Sequence, residues 1–154
     1  MGQSLADSFA TDVSLFKDSY SIRNKCDILI DSDNAVKPEN ILQQQWKSIA
    51  DFKANKLIPY SWINGTVYVK FTLQNSAAVQ DTVYLYPGNS FRSITLSKIS
   101  ATGNFIDLKD ESEEDGFQPI LLSPFEKTTY LTELHFSKRK FNSLSLQLIQ
   151  KSYL

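Results

Sequence analysis

The chain has 154 residues, with 16 Lys and Arg against 17 Asp and Glu, and 42% of its residues are hydrophobic. That length and balance fit one globular domain able to fold without disulfides or metals. A net charge of −1 argues against the basic excess that nucleic-acid binders use to pair with phosphates, and it leaves no polybasic patch for an anionic membrane. Cys26 is the only cysteine and His135 the only histidine, so neither an intrachain disulfide nor a zinc site of the usual ligand kind is expected. A lone thiol suits the cytoplasm, and equally a bacterial periplasmic domain that uses no bridges. No stretch approaches the ~20 apolar residues of a membrane span. The N-terminus lacks the basic and apolar regions of a signal peptide. Met1-Gly2 also fits a scar on a trimmed mature chain, in which case the missing leader says nothing about compartment.

Residues 1–12 are small and polar, and read as either one short helical turn or a disordered arm. From 12 to 22 the chain reads as extended, with Val13, Leu15 and Tyr20 available to pin it to a sheet. Residues 26–30 form a short apolar strand running into Asp31-Ser32-Asp33-Asn34, a cluster whose side chains favour a turn. Pro38 opens the one expected helix, 38–45, with Ile41, Leu42 and Trp46 at helical spacing. Residues 46–62 read as a loop that tucks Trp46, Phe52 and Trp62 against the body, because Pro59 discourages regular structure.

From Gly65 the pattern changes to period-two alternation with turn residues about every ten positions, which predicts strands at 66–74, 81–86, 92–99, 103–108, 117–122, 128–136 and 142–150. Short strands at that spacing make a β-sandwich or a barrel. The alternation sends Val67, Val69, Phe71, Leu73, Val83, Leu85, Ile94, Leu96, Ile99, Phe105, Leu108, Ile120, Leu122, Tyr130, Leu134, Phe136, Leu144, Leu146 and Leu148 inward. It leaves Tyr68 and Lys70, and Tyr84 and Tyr86, on wet faces.

No catalytic constellation stands out. There is no G-x-S-x-G elbow, and His135 reads as an ordinary surface or satisfied histidine in an alternating strand. The ESEED run at 111–115 reads as a solvated turn rather than a paired acid and base, and Asp31 and Asp33 as turn caps rather than calcium ligands. Five glycines and no Gly-rich phosphate loop argue against a nucleotide cofactor, and no cofactor or metal is expected. What remains is a binding surface: tyrosine rings beside hydrogen-bonding groups suit the apolar face and hydroxyls of a sugar. The same tyrosines also serve as cross-strand pairs with no ligand.

The order of these features resembles the type 2 extracellular sensor domain of bacterial seven-transmembrane receptors with diverse intracellular signalling modules. The likeness covers roughly 13–150. It rests on Ile28-Leu29-Ile30-Asp31 with its polar turn, Pro38-Glu39-Asn40-Ile41-Leu42, and Thr66-Val67-Tyr68-Val69-Lys70-Phe71-Thr72-Leu73-Gln74-Asn75. It continues through Val83-Tyr84-Leu85-Tyr86-Pro87-Gly88-Asn89, Tyr130-Leu131-Thr132-Glu133-Leu134-His135-Phe136 and 144–149. Tyr68, Val69 and Lys70 stand where that family typically has a tryptophan, an aliphatic residue and an arginine. A lysine lacks the planar fork with which an arginine grips two acceptors.

The resemblance implies an all-β fold: an antiparallel jelly-roll β-sandwich like those of carbohydrate-binding modules, with one short helix near 38–45. It also implies a periplasmic, non-catalytic sensor domain spanning 13–150, whose tail at 151–154 heads toward a membrane segment absent from this chain. The expected ligand is a small soluble molecule, a carbohydrate, contacted by Tyr68, Lys70, Tyr84, Tyr86 and Arg92 with Trp62 as a lid. The rival expectation is protein–protein contact or self-association through the same face.

Overall fold

The computed structural model describes residues 10–49, 64–88, 91–108, 117–137 and 144–153. Eleven strands form among them: β1 (Thr11–Asp12), β2 (Ser19–Ser21), β3 (Asp27–Asp31), β4 (Lys47–Ser48), β5 (Thr66–Gln74), β6 (Asp81–Tyr86), β7 (Phe91–Ile99), β8 (Phe105–Asp107), β9 (Gln118–Leu122), β10 (Lys127–Phe136) and β11 (Gln147–Gln150). They make two sheets. The larger runs β4-β3-β5-β10-β7-β8, and the smaller β2-β11-β6-β9. Pairing is antiparallel except where β1 joins β5 in parallel, Thr11 opposite Leu73. There β1 takes the edge of β5 beyond its pairing with β3, which ends at Lys70.

The two inner faces share one core. Val67, Val69, Phe71 and Leu73 of β5, with Leu96, Tyr130, Leu134 and Phe136, pack against Val83, Leu85, Ile120, Leu122 and Leu148 of the smaller sheet. All of these were expected inside, since in a half-buried strand every second side chain faces one way. The architecture is therefore an all-β sandwich, as the sequence implies. From β5 onward the chain passes repeatedly between the layers, and among the described strands only the β7–β8 connection stays within one.

Several expectations need correction. Ile99 and Phe105 do not face the core: they pack on the opposite side of the larger sheet, with Ile41, Tyr68 and Leu131. Ile99 differs in parity from Leu96, so it belongs to the outer face. Leu15 is 81% exposed. Leu144 and Leu146 are buried, but they precede β11 rather than lying in a strand that begins at 142. The helix at 38–45 is a short 3-10 helix, Pro38–Gln43. Its pitch fits the bonds present: Asn40 N–H donates to Lys37 O, and Gln44 N–H to Ile41 O, both three residues back. Lys47–Ser48, expected within a loop, pairs with β3. Residues 1–9, Phe52, Trp62 and the 109–115 acidic run lie outside the described residues.

The wet face expected on β5 is also only partly wet. Thr66 and Tyr68 are buried because residues 34–46 cross over the outer side of the larger sheet. Val36, Ile41 and Trp46 from this crossing meet Leu29, Tyr68 and Leu131 from the strands, giving a second, smaller apolar cluster. Among the described residues no helix is long and apolar enough to cross a membrane.

Candidate functional site

Register on the outer side of the larger sheet sets the site. Leu29, Tyr68, Glu133 and Thr95 lie in one row across β3, β5, β10 and β7. The next row toward the β3 C-terminus brings Asp31 beside Thr66 and His135 beside Ser93. Directly opposed residues place their side chains about 5 Å apart on the same face. These rows floor a groove of about 500 Å³, walled by Asn34, Val36, Pro38 and Ile41 on one side and Phe105 on the other. That volume lies in the range of small-molecule sites.

The wall by Asp31 is held by a turn that the sequence foretold. Asp31 Oδ1 accepts from the Ala35 amide at 2.9 Å and Oδ2 from the Val36 amide at 3.0 Å. Asn34 takes a left-handed φ of 53°, which asparagine tolerates better than most residues. Asn34 also accepts at Oδ1 from the Thr66 hydroxyl at 2.6 Å. His135 Nδ1 lies 3.4 Å from that hydroxyl oxygen, and His135 Nε2 lies 3.1 Å from Glu133 Oε1. A line of polar groups thus runs from Glu133 through His135 and Thr66 to Asn34 along one edge of the groove.

Tyr68 sits beside this line. It is 5% exposed, and its hydroxyl has no hydrogen-bond partner among the described residues. Burial, and then the nearby charges of Glu133 and Asp31, push the phenol up to about 12, so it stays a neutral O–H donor. The hydroxyl opens onto the groove rather than being sealed off: among the described residues the buried side-chain polar atom without a partner is the Tyr130 hydroxyl, in the core.

Hydroxyl, imidazole and carboxylate in sequence resemble the parts of a nucleophilic triad, but the roles do not fit. The Thr66 proton goes to Asn34, and the residue is 3% exposed. Asp31 and Glu133 both line the groove, as a glycosidase pair must. Yet both Asp31 oxygens are engaged by backbone amides, which suits a turn cap rather than a proton donor. The arrangement suits holding a molecule: a floor of polar side chains between apolar walls at Val36, Pro38, Ile41 and Phe105.

Of the six residues expected to contact ligand, Tyr68 lines this groove and four described ones do not. Lys70, next on the same face of β5, is turned away: its ammonium lies 4.6 Å from the centre of the Trp46 ring. Burial lowers the Lys70 ammonium and raises the Asp27 carboxyl, each shift opposed by the other's charge across the strand pair. Tyr84 and Tyr86 lie on β6, in the other sheet, on its outer side. Tyr84 is opposite Pro119 and Ile149, and the Tyr86 ring is tilted against Phe117 at 5.1 Å. Arg92 is exposed on β7 and absent from the groove lining. Trp62 lies outside the described residues.

Apart from Tyr68, none of the residues lining the groove, Glu133 and His135 included, was among the expected ligand contacts. Glu133 and His135 alternate with the core residues Leu134 and Phe136, so their shared outward face was readable. Their position beside Tyr68 depends on the register of β10 against β5, which alternation does not encode. Comparison of the chain with protein-family models and with curated proteins finds no match.

Proposed function

We propose that the chain is a non-catalytic sensor domain from the periplasmic side of a bacterial membrane signalling receptor, a jelly-roll sandwich that binds a small soluble carbohydrate. The observation that carries the reading is the groove on the larger sheet, onto which the Tyr68 hydroxyl opens with no hydrogen-bond partner among the described residues. The sugar's apolar face rests on Phe105, Ile41 and Leu131, and its hydroxyls meet Tyr68, Ser97, Glu133 and His135. Binding becomes a signal only where the ligand prefers one arrangement of the whole receptor.

Calorimetric titration against a panel of neutral sugars tests this. Saturable heat is expected, weakened about tenfold by Tyr68→Phe, which removes one hydrogen bond and keeps the ring. An absence of saturable heat with every sugar would defeat the reading. Apolar spans of about 20 residues in the gene downstream of this segment would support its receptor half.

A second reading is self-association through the smaller sheet. Tyr84 and Tyr86 lie on its outer side, away from the groove, near Leu121, which is 54% exposed. Tyrosines beside exposed aliphatic groups make good interface anchors. Concentration-dependent sedimentation, abolished by Tyr84→Ala, would favour it.

A further inference from the structure

We infer that the groove takes an ammonium-bearing saccharide, an amino sugar with its amine free, longer than a single ring. The inference rests on the carbohydrate reading above and sharpens it. A second cavity of about 520 Å³ adjoins the groove and shares Pro38 and Phe105 with it. Its other lining residues include Glu39, Gln43, Thr102 and Asn104. Pro38 and Phe105 line both cavities, so an occupant longer than the groove would pass between these two side chains to reach the second.

Charge along that path has one sign. Asp31 and Glu133 line the groove and Glu39 lines the second cavity, while no Lys or Arg lines either among the described residues. The whole chain is nearly balanced, with 16 basic and 17 acidic side chains, so this imbalance is local. A protonated His135 would offset only one of the carboxylates. Lys70, the cation nearest along β5, is occupied by Trp46 and Asp27. Low-dielectric walls around such a path focus its field and draw in the opposite charge.

The groove also holds places for an ammonium and for hydroxyls. Glu133 Oε1 faces His135, whereas Oε2 has no hydrogen-bond partner among the described residues. Across the strand pair from Glu133 stands Tyr68, its ring buried and its hydroxyl open to the groove with no partner among the described residues. An ammonium donates to Oε2, the Tyr68 hydroxyl pairs with a ring substituent beside it, and Phe105 covers the sugar's apolar face. A uronate or a phosphorylated sugar would instead place its anion against the carboxylates.

The test uses disaccharides that differ mainly in one substituent: a free-amine glucosamine dimer, its N-acetylated form, cellobiose, and a uronate dimer. Calorimetry near neutral pH and low salt should show the free-amine dimer binding about tenfold tighter than cellobiose, as one charge-assisted hydrogen bond provides. The uronate dimer should bind weakest. Added salt should narrow the preference. Glu133→Gln should weaken the free-amine dimer about tenfold more than it weakens cellobiose, since the amide keeps a hydrogen-bonding group of the same size and loses only the charge. Glu39→Gln should weaken the dimer and spare monomeric glucosamine. Equal binding of the amine dimer and cellobiose, or tightest binding of the uronate, overturns the inference and leaves the carbohydrate reading intact. A silent panel overturns both.

Discussion

Gly65 shows how one residue sets the geometry of the groove. A Cβ placed there would lie 2.3 Å from the Asp31 carbonyl oxygen and 2.6 Å from the Ser32 Cα. Both are backbone atoms, so neither can swing aside, and β3 would have to separate from β5 where Asp31 pairs with Thr66. Gly65→Ala is therefore expected to cost about 1–3 kcal/mol by overpacking. It should also disturb the groove, because Asp31 and Thr66 both line it. Gly103 is the natural control. It has φ of 85° and open space within 4 Å, so Gly103→Ala meets only left-handed strain of about 1 kcal/mol. Urea unfolding of the two variants checks the order, and a larger loss at Gly103 would contradict this account of Gly65. The sequence located Gly65 at the start of a strand, but the close approach of the 31–32 turn is a tertiary fact that no local pattern carries. Asn75 is similar: readable as a turn residue, it proves wholly buried, its amide donating to the carbonyls of Val79, Leu122 and Ser123.

At the scale of elements, the 3-10 turn Pro38–Gln43 forms the groove's wall, and Trp46 fastens it. Trp46 Nε1 donates to the Ile41 carbonyl at 3.0 Å, the same oxygen that accepts from the Gln44 amide at the end of the turn. The same ring receives the Lys70 ammonium on its face. Trp46→Ala removes the bond, the platform and part of the outer cluster. A loss of about 2–3 kcal/mol is expected, on the low side for a tryptophan because this one is only half-buried. Amide exchange at Asn40 and Gln44 should quicken, and saccharide binding should weaken because the wall carries Val36, Pro38 and Ile41. Unchanged exchange at those two amides would mean that Trp46 does not hold the turn. The strands were legible because alternation is a local signal: β5 and β6 fall at the expected bounds, and β7, β9 and β10 begin within one residue of them. The crossing at 34–46 was not legible as a cover, since its anchors meet partners far along the chain. The parity of Tyr68, Tyr84 and Tyr86 was readable, but their division between two sheets follows from topology, so one presumed surface is in fact two.

Across the whole molecule, the groove and the smaller sheet's tyrosines occupy opposite outer faces, while a cluster of capped carboxylates closes an end of the sandwich. Asp12 accepts from the Ser14 amide and hydroxyl and from the Ser76 amide, tying the β1 segment to the turn after β5. Glu126 accepts from the Ser123 amide, the Thr128 hydroxyl and Lys98, and its own carbonyl receives the Asn75 amide. Burial by itself would raise both carboxyls. The hydrogen bonds, joined at Glu126 by the Lys98 charge, outweigh it and hold them below their ordinary 3.8 and 4.5. The unfolded chain then binds more protons than the folded one through this range. The stability these groups supply is complete above the ordinary values and is lost as pH falls through the lowered ones. Asp27 acts in reverse: burial raises its carboxyl above 3.8 despite Lys70, so acidification favours the folded state there. With two groups opposing one, unfolding free energy in urea should fall from about pH 5 to about pH 3. Glu126→Gln should cost about 1–2 kcal/mol at pH 7, the worth of a charge-assisted bond in a site where the side chain is only 18% exposed. Its curve should converge on the parent's as pH falls. Adding Asp12→Asn should flatten the acid limb further, whereas Asp27→Asn in the parent should steepen it. Parallel curves for all of these variants would show that the caps at this end of the sandwich do not govern its response to acid.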